Sequence, residues 1–190
     1  MRLKHSLCLS FALALLSVPA GAQDFDVKAF FAKAAENGRA GMAQKTKMVD
    51  AKPAAAGEVV VTIIRSEGVE TKSKPAESGD MVVRNRCPET GHEIYLVKAA
   101  SFAKRYGAAQ NEADGEGWRA YRPSGVPMRY LTLSASEGPF SFMAPWGEAM
   151  VAKPGDAIVQ DPTNPTDTYR VAAASFSCTY DIVEKPKAGS

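Results

Sequence analysis

Histidine is nearly missing from this 190-residue sequence: there are two, His5 and His92. His5 falls in an N-terminal leader, so the mature chain holds one. That excludes multi-histidine metal sites and leaves a His-based catalytic triad little to build on. Cysteine is also scarce, with Cys8, Cys87 and Cys178 only, and no pair has the C-x-x-C spacing of a redox or zinc motif. No Walker-type loop or dinucleotide fingerprint is present. No metal and no cofactor is therefore expected. An excess of one charge is missing too: 23 Lys+Arg stand against 21 Asp+Glu. The leader removes Arg2 and Lys4 and no acid, which leaves 21 of each sign. A neutral chain offers no electrostatic footprint for nucleic acid or an anionic membrane as partner.

The leader itself is well marked. Arg2 and Lys4 precede an apolar run from Leu7 to Val18, and Ala20-Gly21-Ala22 supplies an A-x-A cleavage site. This reads as a secretory signal peptide over residues 1–22. Its apolar run is too short to span a bilayer comfortably, so no stable membrane insertion is expected after cleavage. No cysteine stands directly after the cleavage site, where Gln23 follows Ala22, which argues against a lipid anchor. The expected location is periplasmic or secreted. Cys87 and Cys178 then remain, and an oxidising compartment permits one disulfide between them. Two separate buried thiols are the alternative.

What the chain does have is an internal repeat. Residues 95–102 read Tyr-Leu-Val-Lys-Ala-Ala-Ser-Phe, and residues 169–176 read Tyr-Arg-Val-Ala-Ala-Ala-Ser-Phe; six of eight positions agree. A Tyr follows each Phe four residues later, Tyr106 and Tyr180. Upstream stand Gly79-Asp80 and Gly155-Asp156, each followed by an apolar triplet and preceded by a Lys-Pro. One module used twice is the simplest reading. Copy one is placed at 58–107 and copy two at 127–183, with a Gly- and Pro-rich connector at 108–126. Before them, residues 23–57 hold a helix and a linker. Asp24 or Asp26 can cap a helix over Val27 to Glu36, whose Val27, Phe30, Phe31 and Ala34 form one apolar stripe. Residues 39–50 are expected to continue as a frayed helix and 51–57 as linker; 184–190 form a polar tail. Each copy reads as short strands ending in a short helix. The fold class is thus α+β, mostly short antiparallel strands in two related β-rich modules. A unit of some 50 residues buries too little surface to stand alone, so the copies should pack together.

The shared residues are explained by the fold. Lys153-Pro154-Gly155-Asp156 suits a tight turn, with glycine accepting positive φ. An aspartate after glycine can bond nearby backbone N–H groups. Gly79, Asp80, Gly155 and Asp156 are therefore read as structural turns, not as general bases, because a turn is needed wherever the fold recurs. Tyr95 with Val97, and Tyr169 with Val171, share one face of a strand; Phe102 and Phe176 fold back onto it.

The run Pro154-Gly155-Asp156-Ala157-Ile158-Val159, with Tyr169, Phe176 and Tyr180, resembles a small module of uncharacterised bacterial and phage proteins known by a Pro-Gly-Asp-Tyr-Gly motif. This chain departs from that motif after Asp156, with Ala157 and Ile158 in place of Tyr-Gly. Residues 79–91 are similar to the same module with a different loop. The resemblance implies no activity and no catalytic residues.

Function is sought in what the copies do not share. Phe140, Phe142 and Trp146 flank Gly138-Pro139 and Pro145-Trp146-Gly147, an aromatic hairpin that could stack on sugar rings or peptide side chains. It is the candidate ligand-binding set, and no catalytic residue is assigned. Two functions follow. The first is a non-catalytic binding or envelope-accessory protein, its partner an unknown protein or envelope ligand. The second is a small hydrolase or transferase with Cys87 as nucleophile and His92 as base. An enzyme should gather His92 and an acid or nucleophile in one cleft; a binding module should present an aromatic surface instead.

Overall fold

The structure, a computed structural model, describes residues 25–187. The expected leader at 1–22 and the end of the expected C-terminal tail lie outside the described residues. Helix α1 spans Val27–Glu36. The Asp26 carboxylate accepts the Ala29 N–H at 3.0 Å, and Val27, Phe31 and Ala34 are buried beneath. Strands β1 (Gly41–Lys45), β2 (Val49–Pro53), β3 (Val61–Ile64), β4 (Gly68–Lys72), β5 (Met81–Asn85) and β6 (Ile94–Val97) follow. Helix α2 (Ala99–Arg105) leads into β7 (Tyr106–Ala109), then β8 (Arg119–Pro123), β9 (Pro127–Thr132), β10 (Phe140–Met143) and β11 (Ala149–Ala152). The chain closes with β12 (Ala157–Asp161), β13 (Asn164–Val171), α3 (Ala173–Thr179) and β14 (Tyr180–Glu184). The protein is α+β and dominated by antiparallel strands, as the strand-length apolar runs indicate.

Two five-stranded sheets carry the fold, with orders β6-β5-β2-β8-β7 and β13-β12-β9-β1-β14. Each has a two-stranded hairpin beside it, β3-β4 and β10-β11. Position by position the sheets correspond. β5 and β12 each follow a Gly-Asp turn; β6 and β13 carry Tyr95 and Tyr169; α2 and α3 lead into β7 and β14. One place is filled differently. In the first sheet the strand beside β7 is β8, which comes next in the chain. In the second sheet the strand beside β14 is β1, from the chain's beginning. Met42 of β1 pairs with Glu184, and Lys45 with Tyr180.

This topology corrects three boundaries. Residues 39–50 are not a frayed helix: they form β1 and begin β2. Residues 51–57 are not simply linker, because Ala51 sits at the centre of the first sheet, opposite Val83 on one side and Arg119 on the other. The connector 108–126 contains β8. A start at residue 58 therefore leaves out β2, the counterpart of β9. The reason is physical: the buried residues Ala43 and Ala51 are alanines, and alanine carries little strand preference.

Each sheet has its own core. α1 packs with Leu131, Ile158, Phe142 and Met150 over the second sheet. Val49, Ala51, Val83 and Tyr106 fill the first, and Trp118 covers Val60 and Val82 on its other face.

Candidate functional site

Two aspartates set the local geometry. Asp80 accepts the N–H of Glu77 at 2.9 Å with one carboxylate oxygen and that of Ala99, in the first turn of α2, at 3.1 Å with the other. Asp156 does the same with Lys153 at 2.8 Å and Ala173 of α3 at 3.1 Å. Gly79 and Gly155 hold φ of 86° and 89° in these turns. Each aspartate thus fastens a turn to the start of a short helix, and the helices throw Phe102 and Phe176 onto Tyr106 and Tyr180, ring centroids 4.7 and 4.9 Å apart.

Each short helix then clamps the opposite half. At the end of α2, Lys104 donates to Asp161 at 2.5 Å and Arg105 to Asp167 at 2.5 Å, both on the β12–β13 side of the second sheet. On α3, Cys178 is disulfide-bonded to Cys87 with Cα atoms 6.2 Å apart, and the Ser175 hydroxyl donates to Glu93 at 2.7 Å. Lys104 and Cys178 each lie two residues beyond the phenylalanine of the repeated octet. An ion pair on one side therefore stands where a covalent bond stands on the other. Burial alone would push Asp161 up, but Lys104 and Thr163 outweigh it and hold its carboxyl down at about 2.

A third tie is electrostatic. Arg170 is almost fully buried and donates to Asp156 at 2.7 Å, to Glu70 at 2.5 Å and to Glu67 at 2.6 Å. Lys153 adds a second cation to Glu67 at 2.8 Å. This cluster fixes the β3-β4 hairpin to the second sheet. Burial pushes Glu70 up to about 7 against the pull of Arg170, with Glu67, Glu93 and Asp156 adding to the rise.

Between the clamps lies a cavity of about 480 Å³. Four tyrosines of the repeats line it in two pairs. The hydroxyls of Tyr95 and Tyr106 are 3.3 Å apart, and those of Tyr169 and Tyr180 are 3.4 Å apart. Burial pushes the Tyr95, Tyr169 and Tyr180 hydroxyls above their usual range, so they keep their protons near neutral pH. Lys45 donates to Tyr95 at 2.8 Å and to Asn85 at 3.1 Å; Arg105 donates to Tyr169 at 3.2 Å. Glu93 accepts from Asn85 at 2.8 Å, from Ser175 and from Thr90. Trp146, Met128 and Met150 supply apolar wall. A space of this size, with an apolar wall on one side and convergent polar and charged groups around it, has the size and mixed lining of a small-molecule site.

The residues singled out in the sequence take different places. Phe142 is 1% exposed, deep in the second core. Phe140 is stacked on Phe25 at 3.9 Å and edged by Phe30 at 5.7 Å. The hairpin's aromatic surface is thus covered by the N-terminal segment, and only Trp146, 5.5 Å from Tyr169, reaches the cavity. Cys87 is fully buried in its disulfide and has no thiol to act as nucleophile. Its proximity to Glu89 and Cys178 makes no metal site for the same reason. His92 is exposed, at φ 57°, beside Asp50, Arg84 and Arg86 and away from the cavity.

Lys45, Arg105, Glu93 and Arg170 were not singled out. Arg170 left a signal: it replaces the Leu96 of the first octet at a strand position, and an arginine there needs buried carboxylates. Lys45 left none, because β1 itself is inconspicuous. Comparison with family models, with curated proteins and with solved structures returned no match.

Proposed function

We propose that this chain is a secreted or periplasmic, non-catalytic binding protein built from two copies of one β-rich module, similar to the Pro-Gly-Asp-Tyr-Gly module, with a small-molecule site between the copies. The observation that carries this is the inter-sheet cavity, lined by the repeated tyrosines of both halves and held by clamps from both short helices. The paired roles of Asp80 and Asp156, and the matching tyrosine pairs, support the duplication. The Cys87–Cys178 bond supports an oxidising compartment. Among the described residues no helix is long and apolar enough to cross a membrane.

The binding reading is tested by native mass spectrometry of the mature protein mixed with a small-molecule extract of the envelope. A non-covalent adduct is expected on the wild type and should be lost in Val97→Trp, which fills the cavity from β6. Equal adduct on both proteins, or none on either, would contradict a site in this cavity.

A further inference from the structure

The hydrogen-bond inventory of the cavity is unbalanced toward donors. Lys45 has three N–H groups and uses two, on Tyr95 and Asn85, both neutral. Among the described residues it pairs with no carboxylate. Tyr169 accepts from Arg105 and shares one further hydrogen bond with Tyr180, in which either hydroxyl can donate. The pair holds two hydroxyl protons and uses one between them, so one proton is left without an acceptor among the described residues, and it is that of Tyr180 when Tyr169 donates. Arg105 is neutralised by Asp167, and Glu93 is occupied by three donors. Lys45 and Tyr180 are register partners on β1 and β14, so their side chains leave the sheet on the same face, side by side. One unpaired cation and one spare hydroxyl thus converge where an acceptor group would complete both.

Resting on the binding reading above, we propose that the cavity takes a small amphipathic carboxylate, its anionic group held by Lys45 and Tyr180 and its apolar body against Trp146, Met128 and Met150. Lys74 also lines the cavity with no carboxylate partner among the described residues, but it is exposed and its ammonium lies against Gly147; beside Tyr180 stands one cation, Lys45, which matches a single negative charge. A dianion such as a phosphate monoester would leave one charge uncompensated close to Glu93. The volume suits a molecule with an aryl or short alkyl body.

The test is a ligand-observed fluorine NMR screen with a panel of fluoroaryl carboxylates, their primary amides and their amines, with hits placed by backbone amide shifts. The carboxylates should bind about tenfold or more tightly than the matched amides, the ratio of a charge-assisted to a neutral hydrogen bond. Their shifts should centre on residues 45, 146 and 180. Lys45→Met should erase the preference while Lys45→Arg keeps it, with both variants showing the wild-type unfolding midpoint within a few degrees. Tyr180→Phe should weaken the acids several-fold and leave the amides unchanged. Amides or amines binding in the cavity as tightly as the acids would overturn the carboxylate assignment and leave the binding reading standing. No probe shifting residues 45, 146 or 180 would overturn both.

Discussion

Asp80 and Asp156 make the same two backbone bonds, yet their surroundings differ. Asp80 adds Lys98, whose side chain is 37% exposed; Asp156 adds Arg170, whose side chain is 2% exposed. Removing Asp156 therefore takes from a buried guanidinium one of its three carboxylates, and of the two that remain Glu70 is pushed up to about 7 and so carries only part of a charge near neutral pH. Asp156→Ala should cost about 3–5 kcal/mol, as for a broken buried pair, and Asp80→Ala about 1–3 kcal/mol, as for lost hydrogen bonds to a charged group. Urea unfolding of the two variants checks the order. Gly155→Val should also destabilise strongly, because a β-branched residue resists a φ of 89°. Titration gives a further test at this scale. Glu70 is pushed up to about 7 from an ordinary 4.5, so the folded state holds a proton that the unfolded chain has released. Stability from this residue should be intact below about pH 4.5 and fall as pH rises to about 7. Glu137 behaves oppositely. Its bidentate bond to Arg39 holds it down at about 2, so its contribution is present above about pH 4.5 and lost as pH falls toward 2. In unfolding measured against pH, Glu70→Gln should flatten the decline between pH 4.5 and 7 and leave the acid limb unchanged.

At the scale of elements, the two helix clamps differ in kind. The disulfide closes a sequence separation of 91 residues, and chain-entropy arguments give such a loop about 4–5 kcal/mol. Lys104 is half exposed, and Asp161, 3% exposed, keeps two hydrogen bonds from Thr163 when the lysine is lost, so Lys104→Met should cost about 1–2 kcal/mol. Reduction of the disulfide should therefore lower the unfolding midpoint far more than Lys104→Met; near-equal losses would mean that the clamps bear the same load. These elements also mark what was legible in the sequence. β5, β6, β12, β13 and both short helices announced themselves through the repeat, through valine, isoleucine and tyrosine, and through the Gly-Asp turns. α1 was legible from its cap and stripe. β1, β2 and β8 were not. Their inward residues are mostly alanines, with Val49 alone β-branched, beside Gly41, Pro53 and Pro123, so little local favours a strand, and pairing with neighbouring strands makes those positions extended. The site was partly legible for the same reason. Its tyrosines belong to the repeat, whereas Lys45 lies on a strand that only its tertiary partners specify.

At the scale of the whole molecule, the exchange of β1 makes the chain a single interlocked unit. β1 sits between β9 and β14 and brings α1 over the second core. Its start lies beside the last described residue: Lys187 donates its N–H to the Gly38 carbonyl at 2.8 Å. A permuted chain running from 47 to 187, then through a short linker into 25–45, should therefore fold. It should keep the Cys87–Cys178 bond and unfold in one cooperative transition. Deleting residues 25–45 outright should instead expose β9 and β14 to proteolysis while β5 and β6 stay protected. A permutant that fails to fold, with the deletion harmless, would contradict the placement of β1.

The apolar face of the β3-β4 hairpin, with Val61, Ile63 and Val69 exposed, offers a rival location for function, and one measurement separates it from the cavity. Hydrogen exchange of the mature protein should be followed by mass spectrometry, with and without the envelope extract. The expected result is slowed exchange in the segments around Lys45, Tyr95 to Tyr106 and Tyr169 to Tyr180, which together surround the cavity. Protection confined to residues 59–72, with those segments unchanged, would contradict a functional site between the two sheets.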